Sequence, residues 1–198
     1  MVVDVHTHYF PEPYLDLVER EGSRYGVELT RNEAGERELR LNGALHPPLR
    51  AFFDVDVRLR DMEAMGVDVQ VVHHSSRPNV LFADPGLAAE LSRVSNEAYA
   101  DLVRAHPGRF IGLGVLPLQD MEAALRELER VRALGLSGVM LPSNVKGEYL
   151  ASERFRPLYE VLNALRMPVF VHPIAPAGVE RMRELRMWNG VASPWRPP

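Results

Sequence analysis

The chain has 198 residues, of which 46% are apolar and 25% charged, and its formal net charge is −4. These proportions are ordinary for a globular protein, and without clustered Lys and Arg they favour neither nucleic acid nor a membrane surface as a partner. The absence of cysteine excludes disulfides and thiolate metal sites. We expect one domain over residues 1–198, and because no leader or membrane-length apolar run occurs, a cytoplasmic location.

The chain opens on a predicted β-strand that ends in two histidines. The mostly apolar residues 2–5 run into His6, Thr7 and His8. Side chains on a strand alternate with a period of two, so His6 and His8 point to the same side and can bind one metal ion. Alternatively, they are two polar residues on a solvent-facing strand. The apolar strand favours burial, and a metal ion would then satisfy both imidazoles.

The segment after this strand differs from the rest of the chain. A short helical pattern covers residues 14–20, and residues 23–45 follow with apolar positions on both sides of a polar turn at 32–36. This pattern predicts a small hairpin inserted after the first strand. An irregular surface loop is an equally good interpretation.

From Asp54 onward, predicted helices alternate with apolar strands. The strands cover residues 67–74, 110–116, 138–141 and 167–172. Helices are predicted after the N-cap residues Asp54, Asp84, Asp120 and Ser152, with a further helix at 179–187. Strands and helices that alternate in this way form βαβ units with a parallel sheet. Five such units fit either an open doubly wound sheet or part of a (β/α)₈ barrel, which usually needs about 250 residues.

Histidines end three of the five predicted strands, at the sheet edge where parallel α/β folds carry their chemistry. His172 ends an otherwise apolar strand, and we predict it as the third metal ligand beside His6 and His8. The alternative interpretation of His172 is a buried histidine bonded to a carbonyl group.

The second strand ends in the adjacent histidines His73 and His74. Because neighbouring side chains alternate in direction, only one of them can face the pocket, in a substrate-facing or structural role. We predict His74 as a substrate-binding residue, together with Asn144 after the fourth strand.

Several short motifs occur along the chain in a fixed order: His6-Thr7-His8-Tyr9-Phe10-Pro11, Met65-Gly66-Val67-Asp68-Val69-Gln70, His106-Pro107-Gly108-Arg109-Phe110, Leu116-Pro117-Leu118-Gln119-Asp120 and Val171-His172-Pro173. Together they resemble the amidohydrolase-related family, in the branch typified by aminocarboxymuconate-semialdehyde decarboxylase. The resemblance runs from residue 1 to about residue 191.

The resemblance implies a (β/α)₈ barrel, here partial with about five βα units, and one divalent metal ion, usually Zn²⁺. It assigns His6, His8 and His172 as ligands, with a strand-eight aspartate as the fourth and a strand-six histidine in catalysis. In binuclear relatives a lysine on the fourth strand bridges two metals. Here Lys146 falls beyond that strand, so one metal is expected.

The two remaining family residues have no counterpart in the chain. No His follows position 172 and no Asp follows position 120, so the catalytic residues are unknown and strands six to eight are expected to be absent. The tail at 193–198 is atypical. We expect a frameshifted or truncated gene product that ends after the fifth βα unit.

The expected function is metal-dependent decarboxylation or hydrolysis of a small carboxylated substrate, cyclic or conjugated. Without the two family residues, the chain as given is expected to bind metal weakly and to show no measurable turnover. The alternative is a non-catalytic fragment, or a metal-binding module completed by a partner chain. A homo-oligomeric state is also open.

Overall fold

The computed structural model describes residues 1–33, 35, 37–46, 50–74 and 78–174. Its strands, in chain order, are β1 (Val3–His8), β2 (Val27–Arg31), β3 (Arg37–Leu41), β4 (Ala44–His46), β5 (Val69–His73), β6 (Phe110–Gly114), β7 (Gly138–Pro142), β8 (Asn144–Val145), β9 (Glu148–Tyr149) and β10 (Val169–His172). Its α-helices are α1 (Glu12–Glu21), α2 (Val55–Met65), α3 (Pro85–Ala105), α4 (Met121–Ala133) and α5 (Arg156–Leu165).

Side-chain caps start the helices where the sequence predicts them. The carboxylates of Asp54, Asp84 and Asp120 each accept a hydrogen bond from a backbone N–H in the first turn of α2, α3 and α4. Ser152 caps a short 3₁₀ turn, and α5 begins only after it, at Arg156. The helix predicted at 179–187 and the tail at 193–198 lie outside the described residues.

Five parallel strands form the main sheet in the order β1-β5-β6-β7-β10. Each pairs with the next strand of the βα alternation. This is the strand-by-strand order of a (β/α)₈ barrel, and it confirms the predicted partial barrel. A doubly wound sheet would have placed β1 in the interior of the order.

The insertion after β1 is a small antiparallel sheet. β2 pairs with β3 over five residue pairs, as the hairpin prediction requires, and β4 adds a third strand that the sequence pattern did not indicate. The Arg37 guanidinium on β3 makes two hydrogen bonds to the Glu12 carboxylate on α1, of 2.8 and 2.6 Å. This bidentate pair attaches the insertion to the barrel.

The buried core divides between the two faces of the main sheet. The larger cluster joins the helices to the sheet, with Tyr14, Tyr99 and Phe155 fully buried in it. A separate small cluster contains Val71, Leu113 and Met140, with Ile111 and Phe170 packed against it. Val71 and Phe170 stand two residues before His73 and His172, so this cluster lies on the face of the sheet that carries those histidines.

Among the helices of the described ranges, none is both long enough and apolar enough to cross a bilayer.

Candidate metal centre

The side chains of three histidines, from the first and last strands of the main sheet, lie close together. His6 and His8 lie on β1, and His172 ends β10. One ring nitrogen from each belongs to a group in which all members lie within 4.8 Å of one another. The three ring centroids are 4.8, 5.0 and 5.1 Å apart. Since β1 and β10 are at opposite ends of the sheet order, the sheet curls to bring these rings together.

The first strand contains an irregularity at the histidine pair. The register of β1 against β5 shifts between Asp4 and Thr7, so the simple two-residue repeat expected from the sequence is interrupted. The Asp4 carboxylate accepts a hydrogen bond from the His6 backbone N–H at 3.3 Å, and Thr7 Oγ1 donates to the Val71 carbonyl at 2.9 Å. Bulges of this kind redirect a side chain, and the rings of His6 and His8 still meet.

Backbone carbonyls fix the proton on two of the rings. His8 Nδ1 lies 3.2 Å from the His74 carbonyl oxygen, and His172 Nδ1 lies 3.0 Å from that of Pro173. A carbonyl oxygen only accepts, so both rings carry the proton on Nδ1 and keep a lone pair on Nε2. Metal-binding histidines are typically oriented in this way by a partner on the other ring nitrogen. His172 therefore makes the carbonyl contact of its alternative interpretation, and its role as a metal ligand stays a prediction.

Burial keeps these imidazoles neutral. Desolvation, followed by the nearby His73, His172 and His6, lowers the pKa of His8 to about 3. Desolvation and then His6 also lower the pKa of His172. At neutral pH both rings are therefore in the form that binds metal, with no proton to displace.

The donor set fits one divalent metal ion. His6 Nε2 and His172 Nε2 are 3.0 Å apart, and since His172 Nε2 carries a lone pair, a proton or a cation between the two nitrogens stabilises the contact. Three imidazoles can bind a metal and leave further coordination positions open. Within the described ranges, no second group of three such ligands is found.

The adjacent histidines at the end of β5 divide between the site and the core. The His73 ring is 5.1 Å from that of His8, whereas the His74 ring packs edge-on at 4.4 Å from Tyr14. Both are fully buried. Because His73 is the register partner of His8, their side chains share a face of the sheet. The structure thus places His73, rather than the predicted substrate-binding residue His74, beside the three candidate ligands.

Hydrogen bonding explains the orientation of His74. Ser95 Oγ donates its one proton to the Leu91 carbonyl at 2.7 Å, so it accepts from His74 Nε2 at 3.0 Å. His74 therefore carries its proton on Nε2, the opposite of His8 and His172. The sequence alone did not distinguish His73 from His74, since their directions depend on the phase of the strand.

Asn144, the second predicted substrate-binding residue, is the first residue of β8, just before the turn that leads to β9. Its amide donates to the Ile174 carbonyl at 2.7 Å and accepts from the Gly147 N–H at 2.9 Å. It is 4% exposed. The structure engages it in holding the β7 to α5 connection, and its contact with a substrate stays a prediction, as does that of His74.

Arg58 is a supporting residue that the sequence reasoning missed. It is 4% exposed, its guanidinium donates to the His8 carbonyl, and it donates to Gln70 Oε1 at 2.8 Å. Desolvation lowers its pKa. The available signal was an arginine on the face of α2 that also carries Val55 and Met62. Arg58 thus links the end of β1 to β5.

Comparison with protein families gives one match over nearly the whole chain. A family model described as amidohydrolase matches residues 3–192. The 2-amino-3-carboxymuconate-6-semialdehyde decarboxylase of Dictyostelium discoideum is 34% identical over 185 residues, which cover 91% of this chain and 51% of that protein. The chain spans about half the length of this curated relative.

Solved structures show the same arrangement of elements. Metarhizium anisopliae IDCase in its apo form matches with a TM-score of 0.78 at 25% identity, over 97% of this chain and 56% of that one. The dihydroxybenzoic acid decarboxylase of Polaromonas sp. JS666 matches with a TM-score of 0.67 at 26% identity, over 95% of this chain and 54% of that one. The latter structure contains manganese and the inhibitor 2-nitroresorcinol.

Proposed function

The chain belongs to the amidohydrolase family, and on that premise we propose that its histidine site serves metal-dependent decarboxylation of a small carboxylated substrate, aromatic or conjugated. Two similar proteins are named as decarboxylases, of an aminocarboxymuconate semialdehyde and of a dihydroxybenzoic acid. Their names favour loss of a carboxylate over hydrolysis.

One observation carries the proposal. Three imidazoles from strands at opposite ends of the sheet order have ring nitrogens within 4.8 Å of one another. They lie at the carboxyl ends of parallel strands, where barrel enzymes have their active sites. Two of the rings present an Nε2 lone pair because a carbonyl fixes the proton on Nδ1.

We propose that His6, His8 and His172 hold a single divalent metal ion. Bound there, the metal would act as a Lewis acid that polarises an oxygen of the substrate. Zn²⁺ is our specific proposal, because three imidazoles are a donor set that suits zinc, whereas manganese prefers oxygen ligands. The manganese of the Polaromonas structure is the competing choice.

The remaining residues of the site position the ligands and exclude water. Arg58 holds the His8 carbonyl, and therefore the end of β1, in place. The apolar cluster of Val71, Leu113 and Met140, with Phe170 against it, forms a dry floor below the histidines. A dry surround strengthens electrostatic interactions with a bound carboxylate.

We also propose that the chain self-associates. Val5 and Val171, on the two end strands of the sheet order, are 56% and 54% exposed, and exposed apolar strands favour association. The cytoplasmic location stays a prediction.

The test uses the full chain with its metal removed by a chelator and then restored as Zn²⁺ or Mn²⁺. Calorimetry measures binding of 2,6-dihydroxybenzoate and 2-nitroresorcinol, and trapping of released carbon dioxide measures decarboxylation. From the sequence alone we expect no turnover, whereas the proposed function expects binding and release that need the metal and are lost in His172→Ala. Metal-dependent binding without release, across a panel of aromatic and conjugated acids, would instead support the metal-binding module.

A further inference from the structure

A fourth imidazole stands at the same distance as the three candidate ligands. The His73 ring centroid is 5.1, 5.3 and 5.6 Å from those of His8, His6 and His172. The other three separations are 4.8, 5.0 and 5.1 Å. Four points with these six separations form a nearly regular tetrahedron of rings.

The size of this tetrahedron fits a metal ion at its centre. Its centre lies about 3.2 Å from each ring centroid, and a metal–nitrogen bond of about 2.1 Å plus about 1.1 Å from the nitrogen to the ring centre gives the same length. The centroid of the His73 ring is therefore about as far from this centre as the other three, although its nitrogens are not turned toward it. Its nitrogens are not among the three that lie within 4.8 Å of one another, so the ring must turn inward to bind.

The hydrogen bonding of His73 leaves a free lone pair. His73 Nδ1 lies 2.7 Å from the His74 carbonyl oxygen, so the proton is on Nδ1 and the lone pair is on Nε2. Nε2 is buried and has no hydrogen-bond partner among the residues that the structure describes, and His73 is 0% exposed. Buried polar atoms without a partner are uncommon and call for an explanation. A metal ion at the centre of the four rings supplies the partner.

We propose that His73 is a fourth imidazole ligand of the metal, bound through Nε2. The inference rests on the proposed function, because it requires the metal held by His6, His8 and His172. Four imidazoles fill a tetrahedral shell, so a substrate oxygen would enter as a fifth ligand of Zn²⁺, or at one of the two positions left on a six-coordinate ion. His73 would thereby limit the metal to one or two open positions.

The experiment counts the ligated histidines directly. The full chain, labelled with nitrogen-15 at its histidines, is loaded with cadmium-113, and couplings between cadmium and imidazole nitrogens are recorded by NMR. Competition with a chelator gives the affinity for Zn²⁺. The variant His73→Phe keeps a ring beside Phe170, whose centroid is 4.8 Å away, and removes the nitrogens. His74→Phe is the matched control, one residue along and equally buried.

We expect four coupled imidazoles in the wild type and three in His73→Phe, whose Kd for Zn²⁺ rises roughly 10- to 100-fold. His74→Phe should retain four couplings and wild-type affinity. Three couplings in the wild type would overturn the role of His73 and leave the proposed function intact, and this count decides the question even where His73→Phe fails to fold. No couplings in the wild type would overturn both.

Discussion

At the scale of single residues, proton position separates the histidines of the site from the histidine of the core. His8, His73 and His172 carry the proton on Nδ1 because each faces a backbone carbonyl. His74 carries it on Nε2 because Ser95 accepts there. The tautomer therefore indicates which rings have an Nε2 lone pair for a ligand.

The change His172→Ala tests the three-histidine centre. It removes the candidate ligand on β10, so of the three candidate ligands only those on β1 remain. The Kd for Zn²⁺ should therefore rise by roughly 100-fold or more. Isothermal titration calorimetry measures this. His106→Ala, at the end of α3, is the control and should bind as the wild type. Equal affinity in both variants would contradict the assignment of His172.

The change His74→Phe tests the buried core histidine through pH. Burial, followed by repulsion from His73 and His8, lowers the pKa of His74 to about 3, from 6.5. Between these values the unfolded chain binds more protons than the folded chain, so the free energy of unfolding falls as the pH is lowered. By pH 4 this residue should cost the wild type roughly 3 kcal/mol relative to neutral pH.

In His74→Phe this part of the pH dependence should disappear, while an aromatic ring still packs against Tyr14 and Tyr99. Urea unfolding with chelator present, at pH 7 and pH 4, measures both proteins. A wild-type pH slope in the variant would show that His74 does not lose its proton on folding.

At the scale of elements, features that depend on a few neighbouring residues were predicted correctly, whereas some features that depend on strand pairing were not. The aspartate caps of α2, α3 and α4 follow from a few adjacent residues, and they are where the sequence placed them. The irregularity of β1 and the third strand of the insertion depend on partners distant in sequence. For the same reason the sequence identified His172 as a candidate but did not show which of His73 and His74 faces the site, and our prediction named His74.

The change Arg58→Met tests the link between α2 and the first strand. It leaves the His8 carbonyl and Gln70 Oε1 without the donors they have here, which should cost about 1–3 kcal/mol of unfolding free energy and weaken metal binding roughly tenfold. Urea unfolding and calorimetry measure the two effects. Arg60→Met, exposed on the same helix, is the control. If both variants behave alike, Arg58 has no special role at the site.

At the scale of the whole molecule, the metal centre depends on closure of the sheet. The ligands sit on β1 and β10, at opposite ends of the strand order, so the distance between His6 and His172 reports on the curl of all five strands. Metal binding should therefore stabilise the entire fold, by a free energy that grows with metal concentration.

The exposed valines of these same strands predict self-association. Val5 and Val171 are each more than half exposed, at 56% and 54%. The double change Val5→Lys and Val171→Lys should shift the sedimentation coefficient toward that of the monomer, because charged residues oppose contact between strand edges. Met65→Lys, 62% exposed at the end of α2, serves as the control. A wild-type chain that sediments as a monomer would contradict the prediction.

The carbonyl oxygen of His74 accepts from Nδ1 of both His8 and His73, at 3.2 and 2.7 Å. Every amino acid supplies a carbonyl, so no side-chain replacement at position 74 deletes this contact. During divergence, residue 74 is free to change without loss of the two hydrogen bonds, provided that the main chain keeps its course. A comparison of relatives by residue identity would therefore overlook this carbonyl, which orients the rings of His8 and His73. A comparison of main-chain conformation would find it.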